Sequence, residues 1–449
     1  MQEQRFNIIN NAPYKSEGPV LYWLQHTQRI DQNYALYQAI KIANELNKPL
    51  QVLFILNPNY PEANLRHFQF MLEGIETLFM KLETLGIEAI MVQGEFISSI
   101  TPYLKKCSAF ISDKAYTRYL RNIKTDIYNE AKSIHLYTLE VESDLIVPVK
   151  VASEKLEYAA RTIRPKLLKQ KDPYLALFQI DELNVKNGQN KSLIQPDLHS
   201  FVASLPIDHS VKASTLFKGG EDEALNHLDV FIHERLYHYQ DANDPTKMFN
   251  SYLSPYLHFG QISPVRIYTE VMKHQHKIPQ ESLEGYLEQL LVRRELAFNF
   301  IYYQDHYDQF EYMTHDWAYK TMEKHIHDPR EFIYTLDDYL ALNTHDPYFN
   351  QAMKTMIEEG IMPNYMRMYW GKKIIEWSKS YKEAYDITLY LNNRFFIDGR
   401  DANSYTGVAW LYGRHDRPWT ERPIFGTLRY MNDKGLERKF DMNAYLKRS

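Results

Sequence analysis

Short apolar runs and helical periodicity divide the chain into different stretches. Residues 19–24 (PVLYWL) and 50–56 (LQVLFIL) are continuous apolar runs of strand length, bounded by turn residues. That is the pattern of strands buried on both faces. Residues 87–92 and 109–112 predict two more strands. Asn33 to Asn47 and Arg66 to Leu85 carry apolar positions at helical spacing, the second closed by Gly86. Strands alternating with helices predict an α/β fold, a doubly wound parallel sheet of Rossmann-like type, over residues 1–147. Residues 148–220 read as a long linker, with Pro148, Pro165, Pro173, Pro196 and Pro206, a polar stretch from Asp181 to Ser192, and Gly219-Gly220. Residues 221–449 read as a larger all-helical domain, with helices over 221–239, 264–273, 282–303, 347–359 and 365–378.

Composition narrows the class. With 449 residues, 44% apolar and 24% charged, the chain is long enough for two or three domains and for a buried cofactor. No apolar stretch is long enough to span a membrane, and the N-terminus lacks the apolar core of a signal peptide. The single cysteine, Cys107, excludes a disulfide framework and a multi-cysteine metal site. These features predict a cytoplasmic protein without a membrane partner. The net charge of -5 argues against a protein coated in nucleic acid. Residues 391–449 nevertheless hold eleven Lys/Arg against seven Asp/Glu, which leaves room for a local basic patch.

Several segments concentrate chemistry. His233 and His238 lie five residues apart, about 140° around a helix, so no metal site is expected there. Asn250, Ser251, Tyr252, Leu253 and Ser254 precede Pro255. Hydroxyls and free N–H groups at such a terminus suit a pyrophosphate, and simple N-capping by Ser254 explains them equally well. On a helix over 287–300, Gln289, Arg293, Leu296 and Phe300 share a face, either a pocket wall or a solvated stripe. Residues 365–377 set Met366, Tyr369, Trp370, Ile374 and Trp377 on one face, a core stripe whose Trp rings could also relay electrons. Asn392 to Asn403 is dense in Asn, Asp and Arg, and a large polar ligand would satisfy such groups when buried.

Taken together, these segments resemble the photolyase/cryptochrome family, and within it the class II cyclobutane pyrimidine dimer photolyases. The resemblance rests on NDPTK at 243–247, SYLSPYLHFGQIS at 251–263, VRRELAFNF at 292–300, THDP at 344–347, MRMYW at 366–370, LNNRFFIDGRDAN at 391–403, HDRPW at 415–419 and RYMNDKGLERKFD at 429–441, with GPVLYW at 18–23 and RTIRPK at 161–166. It implies an antenna-type α/β domain, a linker and a helical domain holding FAD, with a second antenna chromophore of deazaflavin or folate type as an option. It implies that Tyr239 and Asn250 to Ser254 embrace the flavin phosphates and ribitol. Asp398, Asp401 and Arg367 would sit around the cofactor, with Asn392 near its N5. Trp370 would lie beside the flavin and Trp377 further out. Gln289, Met368, Arg293 and Trp410 would line the lesion pocket, and Arg417 and Arg429 would contact DNA phosphates. The implied activity is light-driven splitting of a flipped-out dimer by an electron from reduced FAD, in a monomer that needs no protein partner and whose substrate is damaged DNA.

Three positions depart from the family pattern. Gln289 stands where a glutamate is usual, so it can donate an N–H but no proton. On an α-helix the adjacent Glu288 would point about 100° away. Ala242 replaces an arginine that precedes the Asn-Asp-Pro run in relatives, and Phe349 replaces a tryptophan after THDP. The first two leave open a light-sensing, cryptochrome-like protein; the absence of an extension past Ser449 weighs against it.

Overall fold

The computed structural model describes residues 2–447. Two compact units emerge. One takes in the chain up to Glu154, then Leu167–Asp229 and Tyr252–His274; the other takes in Lys155–Lys166, Val230–Ser251 and everything from Gln275 on.

The first unit is built on a seven-stranded sheet. Its strands are β1 (Phe6–Asn10), β2 (Val20–Leu24), β3 (Leu50–Leu56), β4 (Glu88–Gln93), β5 (Ala109–Asp113), β6 (Thr138–Val141) and β7 (Asn190–Lys191), in the order β1-β6-β5-β2-β3-β4-β7. All neighbours pair in parallel except β1, which runs antiparallel to β6. The four expected strands form where the apolar runs lie. β1 escapes the pattern because it is a half-exposed polar edge, FNIIN, and β6 because it is only four residues long with alternating polarity, TLEV. Alternation sends Leu21, Trp23, Leu53 and Phe110 to one face and Tyr22, Val52, Phe54 and Ile111 to the other. The helices Tyr34–Leu46 and Leu65–Thr84 cover the second face, and Phe96–Leu104 and Arg118–Ser133 cover the first. The sheet is therefore doubly wound.

Two stretches join this unit from further along the chain. β7 lies inside the segment read as a linker and adds a short edge to β4. Residues 252–274 pack here too, although their helical spacing suggested the other part. Gly260 shows why: its φ is +64°, and a Cβ there would strike the carbonyl oxygen of His26. Its own carbonyl accepts from Arg29 at 2.8 Å.

The second unit is helical. Its long elements are Arg294–Tyr303, Pro347–Glu359, Asn364–Trp377, Tyr381–Phe395 and Ala402–Leu411. The helix expected over 282–303 is not continuous. Gln280–Leu287 is α-helical, Glu288–Arg293 is a π turn, and α-helix resumes at Arg294. The helix expected over 221–239 likewise passes into a π turn at Phe231–Arg235 and a 3-10 turn at Leu236–Asp241.

Candidate functional site

One helix in the helical unit keeps an open face. In Ala402–Leu411, residues Ser404, Thr406, Val408, Ala409 and Leu411 are buried. Asn403 and Gly407 are exposed and Trp410 is half-buried, at i, i+4 and i+7. A Cβ on Gly407 would meet nothing within 4 Å. Mid-helix glycine costs about 1 kcal/mol against alanine, so this one keeps a floor flat where a planar group could lie.

The polar run before that helix is folded tightly on itself. Asn392 and Asn393 are buried. Asn392 Nδ2 donates to Asn393 Oδ1 at 3.2 Å, and the same oxygen accepts from Arg400 N at 3.0 Å. Arg400 holds a left-handed φ of +63°, a strained conformation for a side chain of its size. Asp398 pairs with Arg367 Nη2 at 3.1 and 3.3 Å, and that guanidinium lies 3.9 Å over Phe396. Asp401 caps the helix by accepting from Ala402 N at 2.6 Å. Burial raises its pKa, opposed by the Arg294 charge.

The π turn decides what stands opposite this face. Its wider turn brings residues five apart together. Arg293 Nε therefore bonds Glu288 Oε1 at 3.1 Å, not Gln289. Glu288, expected to point away on an α-helix, is thereby turned to meet Arg293. Gln289 is exposed. Arg164 grips Glu288 with both Nε (2.9 Å) and Nη2 (2.7 Å). The Arg293 guanidinium lies 5.0 Å over the Trp410 ring, so those two residues do meet.

The Asn250–Ser254 segment crosses from one unit to the other, and each end is described with its own. In the helical unit, Asn250 Nδ2 donates to Ala242 O at 3.5 Å, and Ser251 bonds the buried Tyr286. Tyr286 packs 5.2 Å from Tyr239, whose hydroxyl pKa burial pushes up to about 12. In the sheet unit, Tyr252 has a φ of +56° and Leu253 is buried. The helix Ser254–His258 begins after Leu253 and has no side-chain cap, so Ser254 does not serve as its N-cap.

The aromatic stripe is core. Trp370 and Trp377 are buried, and so are Lys372 and Lys373, so the helix Asn364–Trp377 is enclosed nearly all round. Met368 on this helix is half-buried. Trp370 Nε1 donates to Met353 Sδ at 2.9 Å. Phe349 is solvent-free, 5.2 Å from both Trp377 and Tyr339. Tyr334 lies 5.5 Å from Trp377, and its hydroxyl bonds His345 Nδ1 at 2.8 Å.

A basic edge completes the unit. Trp419 is 41% exposed, with the Arg417 and Arg429 guanidiniums 5.7 and 5.3 Å from its ring. Arg422, Tyr430, Arg438 and Lys439 line a cleft of about 500 Å³ with Trp419 and Arg429. Exposed cations beside stackable rings suit single-stranded nucleic acid. Among the described residues, no cluster of His, Cys, Asp or Glu could hold a metal ion, and no helix is long and apolar enough to cross a membrane.

The deoxyribodipyrimidine photo-lyase of Methanothermobacter thermautotrophicus is 39% identical over 98% of this chain and 97% of its own length. The chain belongs to the deoxyribodipyrimidine photo-lyase family. The Arabidopsis thaliana photo-lyase is also 39% identical, over 99% of this chain and 92% of its own. The DNA photolyase family pattern matches residues 20–181, which take in β2 to β6 and the Lys155–Lys166 stretch of the helical unit. Among solved structures, a class III photolyase from Agrobacterium tumefaciens superposes with a TM-score of 0.76 at 17% identity, covering 96% of this chain and 86% of that one. A Synechocystis cryptochrome gives 0.76 at 15%, covering 96% and 88%. These likenesses establish the photolyase fold for both the α/β and the helical parts.

Sequence reasoning set Glu288 aside, quoted Arg164 only within RTIRPK, and did not single out Tyr286 or Gly407. Two signals were available: opposite charges five residues apart at 288 and 293, and a glycine inside a strong helix.

Proposed function

We propose that this chain repairs cyclobutane pyrimidine dimers in DNA, using light and a bound FAD. The observation that carries the reading is near-full-length likeness to photo-lyases at 39% identity, in a chain that pairs a glycine-floored helix face with an arginine-stacked tryptophan. The residues fit a flavin. The open face at Gly407 accepts a ring, the Arg367–Asp398 pair and the buried Asn392 offer polar partners, and Ser251 with Asn250 offers hydrogen bonds to phosphate. When bound and reduced, FAD supplies an excited-state electron donor. Asp398, Asp401 and Arg367 hold it in place, and Asn392 serves its ring nitrogen. Arg293, Trp410 and Met368 receive the extrahelical dimer, and Gln289 donates an N–H to its carbonyl. Arg417 and Arg429 neutralise backbone phosphates, so affinity falls with salt. A second, light-harvesting chromophore belongs to the same proposal.

Gln289 favours a second reading, a light-sensing flavoprotein with weak repair, because an amide cannot supply a proton to the dimer radical anion. Blue-light repair of a thymine-dimer oligonucleotide by reduced protein separates the two. Repair is expected, with Gln289→Glu equal or faster and Gln289→Leu slower. No repair by any of the three proteins would select the light-sensing reading.

A further inference from the structure

The π turn at Glu288–Arg293 does more than interrupt a helix. It seats a carboxylate between two guanidiniums, and one of those guanidiniums lies over the ring of Trp410. Glu288 accepts from Arg164 at 2.7 and 2.9 Å and from Arg293 at 3.1 Å, so both of its oxygens are occupied. Arg293 lies 5.0 Å over Trp410, which stands on the same open helix face as Gly407 and Asn403. All three charged side chains are partly exposed: 40% for Arg164, 23% for Glu288 and 30% for Arg293. A long arginine with that much freedom samples many rotamers unless something holds it. The turn fixes Arg293 through Nε, and the planar end of the guanidinium lies over the indole.

We propose that Glu288 is a positioning residue for damage recognition: its carboxylate, clamped by Arg164, holds Arg293 against Trp410 and so keeps that wall of the pocket in the shape that accepts an extrahelical dimer. The proposal rests on the reading of this site as the lesion pocket. In an unbroken α-helix Glu288 could not reach Arg293, so the π turn is the device that makes the contact. The three bonds run between Glu288 and the two arginines, and Gln289 beside them is exposed. Because both Glu288 oxygens already accept from arginines, Glu288 does not take over the proton-donating part that Gln289 lacks.

The test compares wild type with Glu288→Gln and Arg164→Met, each also in a Trp410→Phe background. Subtracting each Trp410→Phe spectrum isolates one indole among the six. Two quantities are read: the emission of Trp410 without DNA, and the ratio of affinities for dimer-containing and undamaged duplex. Glu288→Gln is expected to shift the Trp410 emission and lower the affinity ratio about five-fold, the scale of one partly screened ion pair. Affinity for undamaged duplex should stay unchanged, which a general loss of structure would not allow. Arg164→Met should move both readouts the same way by less, and it keeps the test alive if Glu288→Gln does not fold. Unchanged emission and an unchanged ratio in either folded variant would overturn the proposal. A wild type with no preference for damaged DNA would sink the lesion-pocket reading instead. In that case a shifted Trp410 emission would still support the Glu288–Arg293 geometry, and an unshifted one would reject it.

Discussion

In the sheet unit, Leu21, Trp23, Leu53 and Phe110 are all solvent-free and fill one face of the sheet. At similar depth the helical unit holds Glu295, Asn299, Lys372, Asn393 and Arg414. Apolar burial is non-directional, at about 25 cal/mol per Å², and tolerates any neighbour of the right size. Buried polar groups need specific partners. Asn299 shows the consequence: its amide accepts from Glu157 N at 2.8 Å and donates to Lys155 O at 3.0 Å, tying a distant stretch of chain to one helix. The two faces of the sheet are thus held by area, and buried polar groups such as Asn299 by partner. The second arrangement is the one that can aim functional groups.

The largest expected effect breaks the comparison from the sheet side, where one buried carboxylate behaves like a helical-unit residue. Asp113, at the end of β5, accepts from the backbone N–H of Gln25, His26 and Thr27 at 3.0–3.1 Å and from the Tyr22 hydroxyl at 2.8 Å. Asp113→Ala strands those donors in a buried turn. It should cost about 3–5 kcal/mol, as much as emptying the apolar core with Leu53→Ala, about 2–5 kcal/mol. Denaturant unfolding of the two variants checks this. A loss under 1 kcal/mol for Asp113→Ala would show that the turn re-forms its bonds with solvent.

A smaller effect sharpens the comparison from the helical side. His415 is buried, and its Nδ1–H donates to Tyr158 O at 2.8 Å. Burial, followed by the Arg414 charge, lowers its pKa to about 3. An unfolded histidine titrates near 6.5. Between those values the unfolded chain binds more protons, so stability should fall as pH drops below about 6.5, by about 2 kcal/mol at pH 5. His315, lowered to about 4 by burial and Arg414, adds a lesser share because it is more exposed. His415→Asn keeps a donor for Tyr158 and removes the titration, so its melting temperature should change less between pH 7.5 and 5. Parallel pH profiles for variant and wild type would show that other groups carry the slope.

The same contrast explains what could be read from the sequence. The strands β2 to β5 and their helices were legible because apolar period alone specifies them. The family resemblance marked Arg293, Trp410, Asp398 and Arg367, and in the structure Arg293 lies over Trp410 and Arg367 pairs with Asp398. The π turn was not legible, because residue spacing was read at 3.6 per turn and a single inserted residue shifts every later position. Residues 252–274 carry a helical pattern that says nothing about which unit they join. Tertiary contacts fix that: the close approach of Gly260 to His26 and the Arg266–Asp31 ion pair at 2.6 Å.

The smallest effect on stability carries the most about electron supply. Phe349 fills the space beside Trp377, 5.2 Å from its ring. Phenylalanine is much harder to oxidise, and Trp370 and Trp377 stand seven residues apart on one helix, about 10.5 Å of rise. If bound flavin draws electrons through this stripe, photoreduction of oxidised protein should be slow, and repair by pre-reduced protein should not suffer. Phe349→Trp restores an oxidisable ring at a fully buried position, so the larger ring should lower stability by about 1–3 kcal/mol while accelerating photoreduction under blue light with an external thiol. Equal rates would mean that electrons already enter another way. Tyr334 is the residue to test next, because it lies 5.5 Å from Trp377 and its hydroxyl bonds His345 at 2.8 Å, an imidazole able to take the phenolic proton as the ring is oxidised. Tyr348, by contrast, is committed elsewhere: its hydroxyl bonds Glu437 at 2.8 Å. Tyr334→Phe alone should leave photoreduction unchanged if Phe349 is the true gap, and slow it if the tyrosine already feeds Trp377.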